Sequence, residues 1–215
     1  MTRTRIKICG FTRVGDAESA VDLGVDALGL VFVPSSPRYV DQPTAKRIIS
    51  ALPPFAQSVG LFMNQPYELV SQILDNTALN LLQFHGDESP EFCEQFDRPY
   101  IKAIPMGGGV NPVEYAAQYD HSVGFLLDSH HQGGTGGSGD KFDWDKIPSN
   151  FSKRVILAGG LTIDNVVSAV ERVKPYAVDV SSGVESQKGI KATEKMAAFI
   201  KGVELGDKQR DTNSK

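Results

Sequence analysis

Two side chains of this sequence could move protons to and from one substrate, and each follows a short apolar run. Cys9 ends the alternating run 5–8 and is followed by Gly10 and a helical pattern. Asp128 ends the apolar run 125–127. The carboxyl ends of parallel strands form the rim where α/β proteins do their chemistry. General acid–base catalysis needs two groups held at separate positions, so this pair predicts proton transfer.

Each of the two residues also has a structural interpretation. Cys9 alone could be a small buried apolar side chain, and Asp128 alone could accept hydrogen bonds from loop amides. An unperturbed thiol, with a pKa of about 8.5, needs help to act as a base near neutral pH. Lys7 lies two residues before Cys9 and therefore on the same side of a regular strand, which makes it a candidate for that help.

Two glycine-rich segments predict a phosphate site. Gly159-Gly160 and Ser181-Ser182-Gly183 follow the seventh and eighth apolar runs of the chain. Glycine lets the backbone approach a ligand closely, and amides there can donate to phosphate oxygens. Either segment alone could simply serve a tight turn. Both together favour a phosphate site, because barrels often bind phosphate between these two loops.

Other polar residues stand at predicted strand ends. Arg38 could hold a substrate carboxylate through paired hydrogen bonds or lie solvated on the rim. Gln83 and His85 could bond substrate or a lid, or could be ordinary loop residues. The glycine-rich segment 129–141 is a candidate lid. It contains two adjacent histidines, but neighbours in a flexible loop seldom converge on one ion, so we predict no metal site.

The elements that must position these residues alternate regularly along the chain. Apolar runs typical of buried parallel strands are followed by amphipathic segments typical of helices. The strand candidates are 5–9, 27–33, 58–63, 79–84, 100–104, 123–128, 154–158 and 177–180. The helix candidates are 13–23, 44–52, 66–74, a segment from about 89, 112–118, 163–172 and 192–201, with a weak segment at 143–147.

Eight strands predict an α/β fold, a single-domain (β/α)8 TIM barrel over residues 1–203. A doubly wound open sheet would more often stop at about five or six strands, and it would place a glycine-rich fingerprint after the first. That fingerprint is absent here. Residues 204–215 have almost no apolar side chains, which predicts a disordered C-terminal tail.

Composition narrows the classes of function. The 215 residues are 40% hydrophobic, and the formal charge of -4 gives no basic field for nucleic acid. No apolar run approaches the roughly 20 residues that cross a bilayer, and no signal peptide is apparent. We therefore expect a cytoplasmic protein without nucleic-acid or membrane partners. Two distant cysteines, Cys9 and Cys93, give little support to a disulfide framework.

Seven motifs, in order, resemble those of phosphoribosylanthranilate isomerases, and the resemblance runs from Arg5 to about Phe199. The motifs are Lys7-Ile8-Cys9-Gly10, Gly29-Leu30-Val31-Phe32 through Ser36-Pro37-Arg38-Tyr39, Leu82-Gln83-Phe84-His85-Gly86, Leu127-Asp128, Gly136-Gly137-Ser138-Gly139 with Phe142-Asp143-Trp144, Ala158-Gly159-Gly160-Leu161 and Asp179-Val180-Ser181-Ser182-Gly183-Val184-Glu185. A single motif of this kind would be a weak signal, whereas seven in order are a strong one.

The resemblance implies an aldose–ketose isomerase of tryptophan biosynthesis that needs no metal or organic cofactor. It would convert N-(5-phosphoribosyl)anthranilate into 1-(2-carboxyphenylamino)-1-deoxyribulose 5-phosphate by an Amadori rearrangement. Asp128 would protonate the furanose ring oxygen and Cys9 would remove the C2' proton. The substrate-binding residues would be Lys7, Arg38, Gln83, His85, Gly159, Gly160, Asp179, Ser181, Ser182 and Gly183, with Arg38 on the anthranilate carboxylate and Gly160, Ser182 and Gly183 on the phosphate.

The implied partner is a small phosphorylated substrate, and the chain itself would be a monomer or a homodimer. The sequence departs from many family members at Asp140, at Ala192 and in the extra lid residues 132–135. Two alternatives remain at this stage. One is another phosphosugar barrel enzyme, such as an indole-glycerol-phosphate synthase or a pentulose-phosphate epimerase. The other is a barrel that binds phosphorylated ligands without turnover.

Overall fold

A closed barrel of eight parallel strands forms the centre of the protein. The computed structural model describes residues 3–130, 142–149, 151 and 153–212. The strands are β1 Arg5–Cys9, β2 Ala27–Val31, β3 Gln57–Phe62, β4 Leu81–Phe84, β5 Tyr100–Pro105, β6 Gly124–Asp128, β7 Val155–Leu157 and β8 Ala177–Val180. Each strand pairs with the next in chain order, and β8 closes the barrel on β1. The predicted (β/α)8 fold is confirmed.

Helices surround the barrel and connect successive strands. They are α1 Val14–Asp22, α2 Gln42–Ser50, α3 Tyr67–Asn76, α4 Pro90–Cys93, α5 Pro112–Ala116, α6 Val166–Val173 and α7 Thr193–Thr212. Between β6 and β7 the described residues form only a 3-10 turn, Trp144–Lys146, where the sequence pattern for a helix was weak. Most of the predicted lid, residues 131–141, lies outside the described residues.

Local sequence signals determine where several of these helices begin. The side chains of Asp41, Ser89 and Asn111 accept hydrogen bonds from amides in the first turns of α2, α4 and α5. Each cap is followed by a proline in the first turn. Proline has no amide hydrogen to lose there and its fixed φ suits a helix start, so cap and proline together fix these boundaries.

The last helix corrects one prediction. Residues 204–215 were expected to form a disordered tail, but α7 continues to Thr212. Gly206 is buried against α6, where a Cβ would lie 2.8 Å from Cβ of Val170. Asp207 accepts hydrogen bonds from the amide and hydroxyl of Thr4, at 2.8 and 2.7 Å. This segment is held by a close glycine contact and by polar bonds, which an apolar pattern does not reveal. None of the described helices has the length and apolar character needed to cross a bilayer.

Buried residues form two separate clusters. The larger one lies between strands and helices and includes the stacked rings of Phe32 and Phe62. The smaller one consists of alternate strand residues, namely Ile101, Ala103, Leu126, Ile156, Ala158 and Ala177. Side chains two positions apart share a face of a strand. Asp128 and Asp179 therefore continue the smaller, inner cluster toward the carboxyl end of the barrel.

Candidate active site

One pocket at the carboxyl ends of the strands collects ten of the predicted site residues. It is lined by Cys9, Arg38, Gln83, His85, Asp128, Gly159, Gly160, Asp179, Ser181 and Ser182, among others. Lys7 and Gly183 are not part of its lining. Lys7 is buried and pairs with Asp179, while Gly183 packs between the two glycine loops, where a Cβ would lie 2.3 Å from the carbonyl oxygen of Leu161.

Cys9 is the last residue of β1, and its side chain fits opposite a glycine. It stands in register with Gly29 of β2. A Cβ at position 29 would lie 2.6 Å from Sγ of Cys9, closer than real contacts allow. Glycine therefore leaves the space that the thiol occupies. Cys9 is only 6% exposed, yet it lines the pocket.

Three charged side chains and burial together set the pKa of the Cys9 thiol. Burial raises the pKa of Cys9, and Asp179 raises it further, whereas the Lys7 and Lys191 ammonium groups lower it. The net pKa lies above the ordinary thiol value. Burial lowers the pKa of Lys7, but Asp179, 2.9 Å away, and Cys9 raise it above its usual range. Lys7 is thus a stable cation beside the thiol, and its predicted influence has the right sign but does not offset burial.

Asp128 ends β6 and faces two stacked imidazole rings. Its Oδ2 lies 3.1 Å from Nε2 of His85 and 3.5 Å from Nδ1 of His130. The two ring centroids are 4.6 Å apart. Burial raises the pKa of Asp128, but the His130 and His85 rings outweigh that effect and hold it well below its usual range. The carboxylate is therefore ionised in the protein without substrate.

Gln83 orients the first of these rings. Its Nε2 lies 3.0 Å from Nδ1 of His85, which leaves the Nε2 hydrogen of His85 to be donated to Asp128. In the described part of the chain, Oε1 of Gln83 lines the pocket and is buried without a hydrogen-bond partner. Buried polar atoms are usually paired. This unpaired acceptor is therefore available to bond a ligand.

Asp128 and its two neighbouring histidines are also the one group among the described residues with the spacing to hold a metal ion. The ligand atoms of His85, Asp128 and His130 lie within 4.8 Å of one another. The planes of the two rings differ by only 27°. Two imidazoles on a tetrahedral ion would approach it from widely separated directions. The observed stacking fits an acid–imidazole group better than coordination.

Arg38 is not a solitary cation on the rim. Its Nε and Nη2 donate to Oε1 and Oε2 of Glu185 at 2.8 and 2.9 Å. Glu185 begins a hairpin of two short strands, β9 Glu185–Gln187 and β10 Ile190–Lys191. A guanidinium has five N–H donors, so the bidentate pair orients Arg38 without using them all.

The two glycine loops close the other side of the pocket. Gly159 and Gly160 have φ values of 76° and 67°, which favour glycine. A Cβ at Gly159 would lie 2.5 Å from the amide nitrogen of Ser129. Asn165 fixes the first loop by accepting from the amide of Thr162 and donating to the carbonyl of Gly160. Both loops adjoin the cavity, as the predicted phosphate site requires.

Sequence reasoning missed several buried charges that support the site. Lys102, within an apolar strand, donates to the carbonyl of Gly86 at 2.5 Å. Glu88 accepts from the amides of Gly86 and Asn64 at 2.9 and 2.7 Å. These bonds fix the loop that follows His85. A lysine inside an apolar run could have marked this position, whereas Glu185 and Lys191 carried no such signal.

Comparisons with known proteins agree with the geometry. A family profile described as N-(5'phosphoribosyl)anthranilate (PRA) isomerase matches residues 6–202. The N-(5'-phosphoribosyl)anthranilate isomerase of Nitrosococcus oceani is 54% identical over 202 residues, which cover 94% of this chain and 98% of the relative.

Solved structures show the same similarity. The phosphoribosyl anthranilate isomerase of Thermotoga maritima has 39% identity and a TM-score of 0.85, covering 94% of this chain and 98% of that one. A phosphoribosyl anthranilate isomerase in complex with reduced 1-(o-carboxyphenylamino)-1-deoxyribulose 5-phosphate has 37% identity and a TM-score of 0.77, with the same coverage. The fold, the pocket and these matches lead to one conclusion: the chain belongs to the phosphoribosylanthranilate isomerase family.

Proposed function

We propose that this pocket catalyses the Amadori rearrangement of N-(5-phosphoribosyl)anthranilate, with Cys9 as general base and Asp128 as general acid. The observation that carries the proposal is the meeting of these two groups, from β1 and β6, in one pocket bordered by both glycine loops. Ring opening requires a proton on the furanose oxygen, and enolamine formation requires loss of the C2' proton. An acid and a base on separate strands can serve both steps on one bound sugar.

The acid step involves the histidine beside Asp128. Because Asp128 is ionised before substrate binds, its carboxyl group must take up a proton before it can protonate the ring oxygen. In this proposal, Asp128 takes that proton from water as the substrate enters. His85 lies 3.1 Å from Asp128 and orients the carboxyl group through its Nε2–H, and Gln83 keeps the imidazole correctly oriented.

The base step requires the thiolate of Cys9. Lys7 and Lys191 are the cations that favour it, and each lowers the pKa of the thiol. Lys7 is buried and pairs with Asp179, so its role is to act on Cys9 rather than to contact substrate. The same thiol can return its proton when the enolamine tautomerises to the ketone.

Substrate binding uses the remaining pocket residues. We assign the anthranilate carboxylate to Arg38, whose guanidinium Glu185 already orients. The phosphate lies between Gly159-Gly160 and Ser181-Ser182, and Gly183 acts by allowing the two loops to pack closely. The complex of a 37% identical relative with a reduced product analogue supports a ligand of this class.

The direct test is turnover of freshly prepared N-(5-phosphoribosyl)anthranilate, followed by the loss of its fluorescence. We expect acceleration by the purified protein and loss of that acceleration in the double variant Cys9→Ala, Asp128→Asn. A protein that binds the reduced product analogue but does not speed the reaction would favour the alternative of a non-catalytic phospho-ligand barrel. No binding and no turnover would point to a different phosphosugar.

The pocket supports a small phosphorylated substrate as the binding partner. We also propose a cytoplasmic location, because the proposed reaction belongs to amino-acid biosynthesis. The monomer or homodimer prediction can be decided by light scattering at several protein concentrations.

A further inference from the structure

We propose that Lys191 is a positioning residue for the reaction, because it joins the base, one phosphate loop and the partner of Arg38 through a single ammonium group. The inference rests on the proposed roles of Cys9 and Arg38. Lys191 belongs to β10, outside the barrel strands, and no role was assigned to it from the sequence.

The Lys191 ammonium has three acceptors within hydrogen-bond distance. Its Nζ donates to the carbonyl of Cys9 at 2.6 Å, to the carbonyl of Ser181 at 3.2 Å and to Oε1 of Glu185 at 2.8 Å. A lysine ammonium has three N–H donors, so its donors are fully used. Its side chain is 0% exposed.

Each acceptor belongs to a different part of the proposed machinery. The carbonyl of Cys9 also accepts from Oγ of Ser181 at 2.9 Å, so two donors fix the backbone that bears the thiol. Ser181 belongs to the loop after β8 that lines the phosphate side of the pocket. Glu185 holds Arg38 by its bidentate pair. Through these bonds Lys191 sets the distance between the proton-abstracting group and the carboxylate-binding group.

The hairpin that carries Lys191 is itself docked on the barrel. The amide of Lys191 donates to Oδ2 of Asp16 in α1 at 2.9 Å. At the hairpin turn, Oγ1 of Thr12 donates to the carbonyl of Gly189 at 2.6 Å. The loop between β1 and α1 and the start of that helix therefore hold the hairpin in place, and the ammonium enters the site from a fixed direction.

Lys191 also acts on the thiol through its charge. The charged groups that face Cys9 are Lys7 on its own strand, Asp179 on β8 and Lys191 on β10. Removing a cation from this set favours the neutral thiol and raises its pKa. A purely structural lysine, by contrast, would affect stability without affecting thiol titration.

The test uses Lys191→Met, which keeps most of the side-chain volume and removes the charge. The rate of alkylation by iodoacetamide, followed against pH, gives the titration midpoint of Cys9. Cys93 is fully buried away from the pocket, and burial raises its pKa to about 12, so we expect its alkylation to be much slower than that of Cys9. We expect a higher midpoint in the variant, a kcat lowered by at least tenfold and a raised KM, since base and Arg38 are affected together.

Lys195→Met is the matched control. Lys195 is exposed, and among the described residues its Nζ donates to the backbone carbonyl of Glu185 at 2.7 Å rather than to the Glu185 carboxylate or the Cys9 carbonyl. Its loss should therefore leave both the midpoint and the kinetic constants near those of the parent chain. A parental midpoint and parental KM in Lys191→Met would overturn the proposal.

Glu185→Gln distinguishes the proposed effect of Lys191 on Arg38 from its effect on the Cys9 thiol. It should raise KM through Arg38, and it should shift the thiol midpoint less than Lys191→Met does, because Lys191 still bonds the carbonyl of Cys9. If Lys191→Met does not fold, this variant decides, and an unchanged KM would contradict the coupling. The alkylation measurement needs no turnover, so failure of the proposed isomerase activity would be recognised independently of it.

Discussion

Two ion pairs at opposite ends of this barrel differ strongly in their exposure to water. At the carboxyl end, the side chains of Lys7 and Asp179 are 5% and 9% exposed and pair inside the barrel. At the amino end, a groove contains Arg172 and Asp145, whose paired side chains are 52% and 77% exposed. In the same groove the Arg5 guanidinium lies over a tyrosine ring. Both ends contain ion pairs, but the Lys7–Asp179 pair is removed from water whereas the Arg172–Asp145 pair is not.

This difference identifies where charge serves function. Removing paired ions from water costs several kcal/mol per ion, and apolar residues of similar volume would often be at least as stable. Exposed pairs cost little and contribute about 0–1 kcal/mol. We therefore expect the buried pairs at the carboxyl end to act on substrate, thiol and carboxylate. The following predictions test that contrast.

The largest effect should come from the proton-transfer groups. Cys9→Ala and Asp128→Asn should each lower kcat by at least the roughly hundredfold typical of a lost base or acid, with little change in substrate binding. Steady-state kinetics and titration with the reduced product analogue measure the two effects separately. Near-parental turnover in either variant would remove that residue from its role.

Arg38→Ala should affect KM most. Loss of a hydrogen bond to a charged ligand group typically costs about 1.5–3 kcal/mol, which corresponds to a rise of roughly tenfold or more in KM. The variant also leaves Glu185 with Lys191 as its remaining cation. If KM is unchanged, the anthranilate carboxylate binds elsewhere in the pocket.

Lowering the pH should remove the contribution of the ionised Asp128 carboxylate to the free energy of unfolding. Its pKa in the folded chain lies below its usual range, so it stabilises the fold above the unfolded pKa of about 3.9, and this contribution is lost as pH falls below that value. The difference in the free energy of unfolding between the parent and Asp128→Asn, measured with urea, should therefore be constant above about pH 5 and shrink steadily below the unfolded pKa of about 3.9. A difference that does not change between about pH 5 and about pH 3 would contradict the lowered pKa.

The smallest effect is expected at the amino end. Arg172→Ala removes an exposed pair, so the free energy of unfolding should change by about 0.5 kcal/mol or less and kcat should be unchanged. Thermal unfolding and the isomerase assay provide the comparison. A large loss of activity would mean that the two ends are coupled, and the contrast between them would fail.

Sequence reasoning predicted those features that depend on periodic patterns. Eight apolar runs gave the barrel, and the position of Cys9 and Asp128 at strand ends placed both on one rim. It did not predict Glu185 as the partner of Arg38 or Lys191 as the second cation on Glu185, because both residues lie in a hairpin too short to show a periodic pattern of apolar residues. It also missed the tail helix, which lacks a clear apolar face and is held by contacts with distant residues.

The glycine opposite Cys9 limits how this barrel can change over generations. Alanine at position 29 would displace Sγ, since its Cβ would lie within 2.6 Å of it. Losing the sulfur alone would not make room for alanine, because the same Cβ would lie 2.9 Å from the Cα of residue 9. A lineage that keeps the sulfur therefore keeps the glycine, and one that loses both must also shift the backbone of β1 or β2.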